Sequence, residues 1–278
     1  MPGPTPGPKP GESDGLLIVK IGGGESINLD GIARDLAGLS GSFVIVHGAN
    51  ALRDSLARRL GVEKRVLTSV SGHESVHSDR DLIDVMLMAY AGLRNKRIVE
   101  LLQGHGVNAV GLTGLDGALV RGRRNRGIRV REGGKTLIKR DLSGKPAEVN
   151  RKLLELLLGG GFTPVVTVPL IDEHNVAINS ENDDVVTLLS AELGADCVIQ
   201  LIEAPGFLED PDDPASVVAR LSGAQLARRE SEARGRMKRK LLALRRVIES
   251  GTTRVVIADG RIERPVAEAL AGRGTVIG

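Results

Sequence analysis

A short apolar segment that carries one lysine and then breaks into three glycines most constrains the fold of this chain. Its sequence is Leu16-Leu-Ile-Val-Lys-Ile-Gly-Gly-Gly24. The length and branching of residues 16–19 are typical of a buried strand, and consecutive glycines let backbone N–H groups converge on an anion. Lys20 would add a positive charge there. Taken alone, the segment is equally consistent with an ordinary strand and turn.

The composition is that of a globular protein with an aliphatic core. Of the 278 residues, 41% are hydrophobic and 26% charged, which excludes wholesale disorder, and only 1% are aromatic, which argues against a base-stacking nucleic-acid platform. The single cysteine, Cys197, leaves no disulfide or cysteine cluster to build. No apolar run approaches the roughly 20 residues that span a bilayer. We expect a cytoplasmic protein without a membrane span, with residues 1–14 as a disordered Pro/Gly-rich tail.

Strand and helix patterns alternate along the chain. A second strand, Phe43–Val46, leads into His47-Gly-Ala-Asn50, where Asn50 can cap a helix whose N-terminus forms a second anion site. His47 itself is expected to be a buried, hydrogen-bonded imidazole rather than a catalytic one. Apolar residues at helical spacing run from Asp79 to Gln103, with a bend expected at Gly92.

The second half of the chain continues this alternation. Residues 119–139 alternate apolar and basic side chains, which indicates antiparallel hairpins. A helix is predicted from Pro146 to Leu158, and a basic helix from Ser231 to Ser250. We therefore predict an α/β fold in which a mainly parallel central sheet is sandwiched by helices, arranged in two lobes.

The inventory of polar residues favours one reaction type. The chain has no Gly-x-x-x-x-Gly-Lys-Ser/Thr motif, no protein-kinase catalytic loop and no Gly-x-Ser-x-Gly elbow, and its histidines lack metal-ligand spacing. Polar residues collect from Asn179 to Asp184 before a helix, where Asp183 could also serve only as a helix-dipole partner. Lysines, glycines and one carboxylate suit phosphoryl transfer onto an ionised carboxylate, because no proton has to be removed.

Several motifs together resemble the amino-acid kinase family, in particular its N-acetylglutamate kinase branch and the relatives that act on substrates held by a carrier protein. The resemblance covers roughly residues 16–278. Its motifs are Val19-Lys-Ile-Gly-Gly23, Val46-His-Gly48, Asn95-Lys96, Gly111-Leu-Thr-Gly-Leu-Asp-Gly117, Ala177-Ile-Asn179 with Asp183, Gly235-Arg-Met-Lys-Arg-Lys240, and Ala258-Asp-Gly260. Residues 235–240 and 121–131 most resemble the carrier-dependent kinases.

The resemblance implies ATP-dependent phosphorylation of the side-chain carboxylate of aminoadipate or glutamate bound to a carrier protein, in lysine or arginine biosynthesis. Mg²⁺ would bridge the ATP phosphates without a direct protein ligand. Implied partners are a small acidic amino-group carrier protein, a downstream acyl-phosphate reductase and a second copy in a homodimer, without nucleic acid or membrane. Residues 15–172 would form the acyl-substrate lobe and residues 173–278 the nucleotide-binding lobe. The alternatives are an N-acetylglutamate kinase acting on the free N-acetylated amino acid and a non-catalytic amino-acid or nucleotide-binding regulator.

The resemblance also implies residue roles. Lys20 and Lys240 would bracket the transferring phosphoryl group, and Asp183 would hold both ammonium groups. The implied phosphate- and substrate-binding residues are Gly22, Gly23, Gly48, Ala49 and Asn179, with backbone donors expected from the three glycines. Two positions depart from the family pattern. Its second glycine after the histidine is Ala49, and its carboxylate-binding arginine, 19 residues before Asn95, falls on Val76; His77 or Arg65 is the candidate substitute.

Basic residues are concentrated between Arg121 and Arg140. This segment holds nine Lys or Arg against one Glu, an excess of eight positive charges in a chain whose net charge is +3. A solvated basic face is the simpler interpretation, and nucleic acid is a weaker rival because aromatic residues are scarce. With the resemblance, the segment predicts docking of the acidic carrier protein. The predicted docking residues are Arg123, Arg124, Arg126, Arg129 and Arg131.

Overall fold

The computed structural model describes residues 15–68, 70, 74–132, 135–233 and 235–278. The predicted tail, residues 1–14, lies outside this set. The strands are β1 (Leu17–Ile21), β2 (Phe43–His47), β3 (Val66–Thr68), β4 (Glu74–Val76), β5 (Ala109–Thr113), β6 (Val120–Arg124), β7 (Ile128–Glu132), β8 (Lys135–Lys139), β9 (Gly144–Val149), β10 (Thr163–Thr167), β11 (Leu170–Ile171), β12 (Ala177–Ile178), β13 (Cys197–Ile202), β14 (Arg220–Leu221), β15 (Arg254–Asp259) and β16 (Thr275–Ile277).

Helices connect most of these strands. They are α1 (Leu29–Ala37), α2 (Asn50–Arg59), α3 (Arg80–Met86), α4 (Asn95–Gly104), α5 (Arg151–Gly159), α6 (Asn182–Leu193), α7 (Gly223–Glu232), α8 (Gly235–Glu249) and α9 (Pro265–Leu270). A π-helical segment, Leu87–Arg94, joins α3 to α4 and contains Gly92, the position at which a bend was expected. A short 3₁₀ turn, Asp116–Ala118, follows β5.

An eight-stranded sheet forms the centre of the described structure, in the order β14-β16-β15-β13-β1-β2-β10-β5. Its strands pair in parallel except at the contact of β15 with β16. A four-stranded sheet, β12-β11-β6-β9, and the hairpins β3-β4 and β7-β8 complete the described strands. The prediction of an α/β fold with a mainly parallel sheet between helices is therefore confirmed.

Each face of the large sheet carries its own hydrophobic core, because the inner strands are apolar on both sides. On one face Ile18, Val44 and Val166 pack with residues of α3 and α6. On the other face Val19 and Ile45 pack with residues of α1, α4 and α9. β1 lies between β2 and β13 and is buried from end to end apart from Lys20, so the motif that opened the sequence occupies the middle of the sheet.

One local prediction was wrong. Pro146 lies in β9, which pairs with β6, and the helix begins only at Arg151, where the side chain of Asn150 accepts from the N–H of Leu153. The basic helix predicted from Ser231 to Ser250 is present as α8, Gly235–Glu249. The predicted lobe boundary at residues 172–173 falls in the turn between β11 and β12, and the large sheet continues across it because β1 pairs with β13.

None of the described helices is both long enough and apolar enough to cross a membrane.

Candidate active site

Lys20 and Asp183 form an ion pair near the C-terminal end of β1. Lys20 Nζ lies 2.8 Å from Asp183 Oδ1, and the two side chains are 11% and 19% exposed. Asp183 lies in the first turn of α6, where the positive end of the helix dipole favours a carboxylate. Burial raises the pKa of Asp183, but the ammonium groups of Lys20 and Lys240 outweigh burial and hold that pKa below its usual range. Asp183 is therefore ionised at neutral pH.

Lys240 completes this charged group from another element. It lies on α8, its side chain is exposed, and its positive charge contributes to the lowered pKa of Asp183. α8 packs on α6, with Thr187 Oγ1 3.4 Å from the carbonyl oxygen of Ala243. The structure thus brings together Lys20, Asp183 and Lys240, the three residues that the resemblance assigned to catalysis.

The two glycine-containing turns after β1 and β2 touch each other. A Cβ on Gly23 would lie 2.6 Å from the amide nitrogen of Asn50 and 2.8 Å from that of Ala49, so only glycine allows this contact. The N–H of Ala51 donates to the carbonyl oxygen of Gly23 at 3.1 Å. The first turn therefore lies against the N-terminus of α2, where N–H groups lack intrahelical acceptors and anions are favoured.

The donor roles expected for the glycines need correction. The N–H of Gly22 donates to Leu201 and that of Gly48 to Ile21, both at 2.9 Å, so these groups hold adjacent strands together. Among the described residues no main-chain carbonyl accepts from the N–H of Gly23. Gly23 thus remains the candidate phosphate donor of the three.

His47 is a fully buried, neutral imidazole. Asn95 Nδ2 lies 3.1 Å from His47 Nε2 and 2.9 Å from the carbonyl oxygen of Val165, and Nδ1 lies 3.3 Å from the carbonyl oxygen of Gly48. Because the amide donates to Nε2, the ring proton belongs on Nδ1. Burial lowers the pKa of His47 to about 3. This imidazole ties the start of α4 to the ends of β2 and β10, in line with the structural role expected for it.

Tyr90 and Asn50 form a second polar contact beside the turns, which the sequence did not reveal. The Tyr90 hydroxyl donates to Asn50 Oδ1 at 2.5 Å, and burial raises the pKa of Tyr90 to about 12. The charge of Glu181, at the start of α6, also raises that pKa. Tyr90 is the only tyrosine in the chain, and it lies in a stretch of apolar residues at helical spacing. A single hydroxyl in such a stretch is the signal that could have identified it.

Asn179 lies at the end of β12 and is tethered to the segment after β4. Its Nδ2 donates to Ser78 Oγ at 3.0 Å, and its backbone N–H donates to Leu142 at 2.7 Å. His77 precedes Ser78; its side chain is 20% exposed, and its Nδ1 is buried without a hydrogen-bond partner among the described residues. Arg65, the other candidate substitute for an arginine at Val76, is 62% exposed and pairs with Glu63 at 3.2 Å. The geometry favours His77 over Arg65.

The predicted docking residues divide into an exposed set and one partly buried residue. On the β7-β8 hairpin, Arg129 and Arg131 are exposed and pair across the strands with Ile138, itself 64% exposed, and Thr136. Arg123 and Arg126 are exposed near the end of β6. These four arginines, the exposed arginine set, present positive charge to solvent.

Arg124 is the partly buried one, 29% exposed and engaged inside the protein, so its assignment to docking is corrected. Its Nε lies 2.9 Å from Asp172 Oδ2, and the Asp172 carboxylate is fully buried. The other oxygen, Asp172 Oδ1, accepts from the N–H groups of His174 and Val176. A buried carboxylate requires such partners, so Arg124 holds the turn after β11 rather than facing a partner protein.

Arg94 is a further residue that the sequence did not single out. Its Nη2 lies 3.4 Å from the carbonyl oxygen of Gly22 and 3.5 Å from that of Gly24. Burial lowers the pKa of Arg94, and the carboxylate of Glu203 opposes that shift. Its position directly before the Asn95-Lys96 motif is the only signal that pointed to it.

One ammonium group paired with a carboxylate, and a second whose charge acts on the same carboxylate, lie beside a glycine turn and a helix N-terminus. This arrangement is suited to stabilising the oxygens of a phosphoryl group in transfer. Fold and site together define a phosphotransferase built on a parallel α/β sheet.

Comparisons with known proteins agree. Residues 15–259 match the amino acid kinase family. A LysW-aminoadipate kinase of Thermus thermophilus is 41% identical over 268 residues, which cover 94% of this chain and 100% of that protein. A LysW-aminoadipate kinase of Deinococcus radiodurans is 38% identical, over 94% of this chain and 91% of that protein. N-acetylglutamate synthase of Neisseria gonorrhoeae has the same fold, with a TM-score of 0.76 and 20% identity over 95% of this chain and 59% of that one.

The chain therefore belongs to the amino acid kinase family, and the prediction of a kinase is confirmed.

Proposed function

We propose that this protein transfers the γ-phosphoryl group of ATP to the side-chain carboxylate of aminoadipate or glutamate that is bound to a carrier protein. The observation that carries the proposal is the Lys20–Asp183 pair with Lys240 beside it, in a chain whose relatives are named LysW-aminoadipate kinases. These names favour the carrier-bound substrate over a free N-acetylated amino acid and over a non-catalytic regulator. The product would be an acyl phosphate made for amino-acid biosynthesis.

The charges at the site support roles for its residues. Lys20 and Lys240 would neutralise oxygens of the transferring phosphoryl group, and Asp183 would fix both ammonium groups. The N–H of Gly23 and the N-terminus of α2 would receive a phosphate oxygen. Because Asp183 is already paired with Lys20 at 2.8 Å, the site suits phosphates better than a bare divalent cation. Mg²⁺ would therefore be carried by the ATP phosphates, whose charge it neutralises.

The positions of the strands and helices support acyl-substrate binding by one lobe and nucleotide binding by the other. Residues 15–172, with His77 and the turn after β2, would bind the acyl substrate, and Asn179, tethered to Ser78, would contact it from just beyond that range. Residues 173–278 supply Lys240 and the ends of β13 and β15, which would face the nucleotide. The large sheet joins both parts, since β1 pairs with β13. The phosphoryl group would therefore pass from ATP to the acyl substrate beside β1, the strand that carries Lys20.

His77 is the proposed contact for the α-carboxylate of the substrate, because its buried Nδ1 has no hydrogen-bond partner among the described residues, the nearest carboxylate oxygen, Asp79 Oδ2, lying 4.0 Å away. We expect His77→Ala to raise KM for the acyl substrate about tenfold, as for the loss of one hydrogen bond to a charged group. Arg65→Ala is the matched control, because its guanidinium is already paired with Glu63. Equal KM values for His77→Ala and the wild type would remove His77 from the site.

The exposed arginine set is the proposed docking surface for an acidic carrier protein. Surface charges mainly raise association rates and act over a Debye length of about 8 Å at physiological salt. The apolar side chain of Ile138 lies across the hairpin from Arg129 and would add a buried contact at the centre of that surface.

Charge reversal tests this surface. Changing Arg126, Arg129 and Arg131 to glutamate should raise KM for the carrier-bound substrate severalfold, leave kcat and the ATP KM unchanged, and flatten the salt dependence. Arg58 and Arg59, exposed in the last turn of α2, are the control when reversed together. If the free N-acetylated amino acid is the better substrate and the triple variant behaves as the wild type, the carrier-bound substrate is wrong and the N-acetylated one replaces it.

The acyl-phosphate product and the exposed apolar side chains suggest two further partners. An acyl phosphate is reactive in water, so a reductase that consumes it is the expected downstream enzyme, and the cytoplasm is the expected compartment. A homodimer is expected through the π-helical segment, where Met88 and Leu93 expose apolar side chains at 45% and 47%.

A further inference from the structure

The glycine turn after β1, residues Gly22 to Gly24, is held from outside by an arginine for which the phosphoryl-transfer scheme has no role. Arg94 is the last residue of the π-helical segment and is only partly exposed. Its Nη2 lies within 3.5 Å of two carbonyl oxygens, those of Gly22 and Gly24. One guanidinium nitrogen thus faces both ends of the turn.

The backbone of Arg94 is fixed by its neighbour. Asn95 donates to His47 Nε2 and to the carbonyl oxygen of Val165, both buried. These two bonds anchor the start of α4 to the ends of β2 and β10. The guanidinium therefore extends toward the glycine turn from a rigid base rather than from a mobile surface.

A carboxylate lies on the other side of the same turn. Glu203, just after β13, accepts hydrogen bonds from the backbone N–H and the hydroxyl of Ser26. A Cβ on Gly24 would lie 1.9 Å from the carboxyl carbon of Glu203, so that carboxylate is packed directly against the turn. Glu203 also attracts the charge of Arg94. The turn is thus enclosed by an oppositely charged pair.

Peptide geometry connects this arrangement to phosphate binding. In a trans peptide the carbonyl and the following N–H point in opposite directions. A Gly22 carbonyl that faces Arg94 turns the N–H of Gly23 away from it, and a Gly24 carbonyl that faces Arg94 does the same for the N–H of Glu25. Glycines adopt many backbone conformations, so without an external contact these two donors would not keep one direction.

We propose that Arg94 is a positioning residue for nucleotide binding, which fixes the glycine turn so that the N–H groups of Gly23 and Glu25 point toward the phosphates of ATP. A guanidinium suits this task because its planar donors can serve two carbonyl acceptors at once, whereas an ammonium acts as a point charge. The inference rests on the proposed function only in taking ATP as the phosphoryl donor.

The test measures ATP binding by titration calorimetry with Mg²⁺ and no acyl substrate, on the full chain. Arg94→Ala should weaken ATP binding about tenfold or more and lower kcat, because the donors are no longer prearranged. Arg94→Lys should recover only part of the affinity. Added guanidinium ion at millimolar concentration should restore binding to Arg94→Ala and leave the wild type unchanged, which a general loss of fold would not produce. Arg97→Ala, an exposed residue paired with Glu100, is the control and should bind ATP normally.

Two results would overturn the proposal. One is an ATP affinity in Arg94→Ala equal to that of the wild type. The other is a loss that guanidinium does not restore while Arg94→Lys, folded by circular dichroism, binds as the wild type, since a point charge would then suffice. A wild-type protein that binds ATP but fails to phosphorylate a carrier-bound substrate would refute the proposed function and leave the role of Arg94 intact.

Discussion

Replacing Lys20 by alanine should separate the catalytic from the structural contribution of the central ion pair. In the wild type Lys20 Nζ lies 2.8 Å from Asp183 Oδ1, and both side chains are mostly buried. At an effective dielectric constant of about 20, two unit charges at that distance attract by about 6 kcal/mol. Desolvation offsets much of this attraction, but removing one partner leaves an uncompensated buried charge and costs about 3 to 5 kcal/mol. Because Lys240 remains nearby, we expect a loss near the lower end, about 3 kcal/mol.

Lys20→Ala should lower kcat more than it weakens substrate binding. Lys20 would act on charge that develops in the transition state, and the loss of one such group lowers kcat by about a hundredfold or more. The assay is trapping of the acyl phosphate with hydroxylamine at saturating ATP and carrier-bound substrate. Urea unfolding of the same preparation measures the change in the free energy of unfolding.

The pH dependence of stability supplies a second signature. The pKa of Asp183 is lowered in the folded protein, so its ionised form stabilises the fold above the unfolded pKa of about 4. That contribution is lost as the pH falls through the lowered folded pKa. The difference in unfolding free energy between the wild type and Lys20→Ala should therefore be largest above pH 4 and shrink below it.

Lys64→Ala is the matched control, since Lys64 forms a 2.7 Å pair with Asp54 at the surface. Such an exposed pair contributes at most about 1 kcal/mol. The reasoning is refuted if Lys20→Ala keeps the wild-type kcat, or if it destabilises the protein no more than Lys64→Ala does.

Two further substitutions test the glycine turn after β1 and the structural role of Arg124. Gly23→Ala places a methyl group 2.6 Å from the first amide nitrogen of α2 and should abolish detectable ATP binding in calorimetry, whereas Gly104→Ala, which meets nothing within 4 Å, should bind ATP normally. Arg124→Ala leaves the carboxylate of Asp172 buried without its cation and should cost about 3 to 5 kcal/mol in urea unfolding. Arg126→Ala should change stability by less than about 0.5 kcal/mol, and equal losses in the two variants would contradict the burial argument.

The parts of the site that the sequence predicted are those in which local pattern and chemistry coincide. Lys20 follows a buried apolar run and precedes glycines, and Asp183 opens a helix, so each was visible from its own neighbours. The glycines were visible too, but their task was not. A sequence cannot distinguish an N–H that faces a phosphate from one that donates to an adjacent strand, as those of Gly22 and Gly48 do.

Errors arose where distant pairing decided the structure. Pro146 suggested a helix start by its local preference, yet pairing with β6 places it in a strand. Arg124 was one of several arginines in a basic run, and nothing nearby in sequence distinguishes it from Arg123 or Arg126. Its partner, Asp172, lies far along the chain and is fully buried. Long-range contacts of this kind leave no periodic signal.

The π-helical segment explains why Tyr90 and Arg94 escaped prediction together. A wider helical turn shifts every following side chain relative to the 3.6-residue repeat, and such segments are frequent at functional sites. Within it Tyr90 reaches Asn50 after β2, and Arg94 reaches the turn after β1. Asn95, the next residue, bonds to His47 and β10. A regular α-helix would place these three side chains at different angles, so one irregular segment connects the ends of three parallel strands, and its spacing rather than any single residue type organises the site.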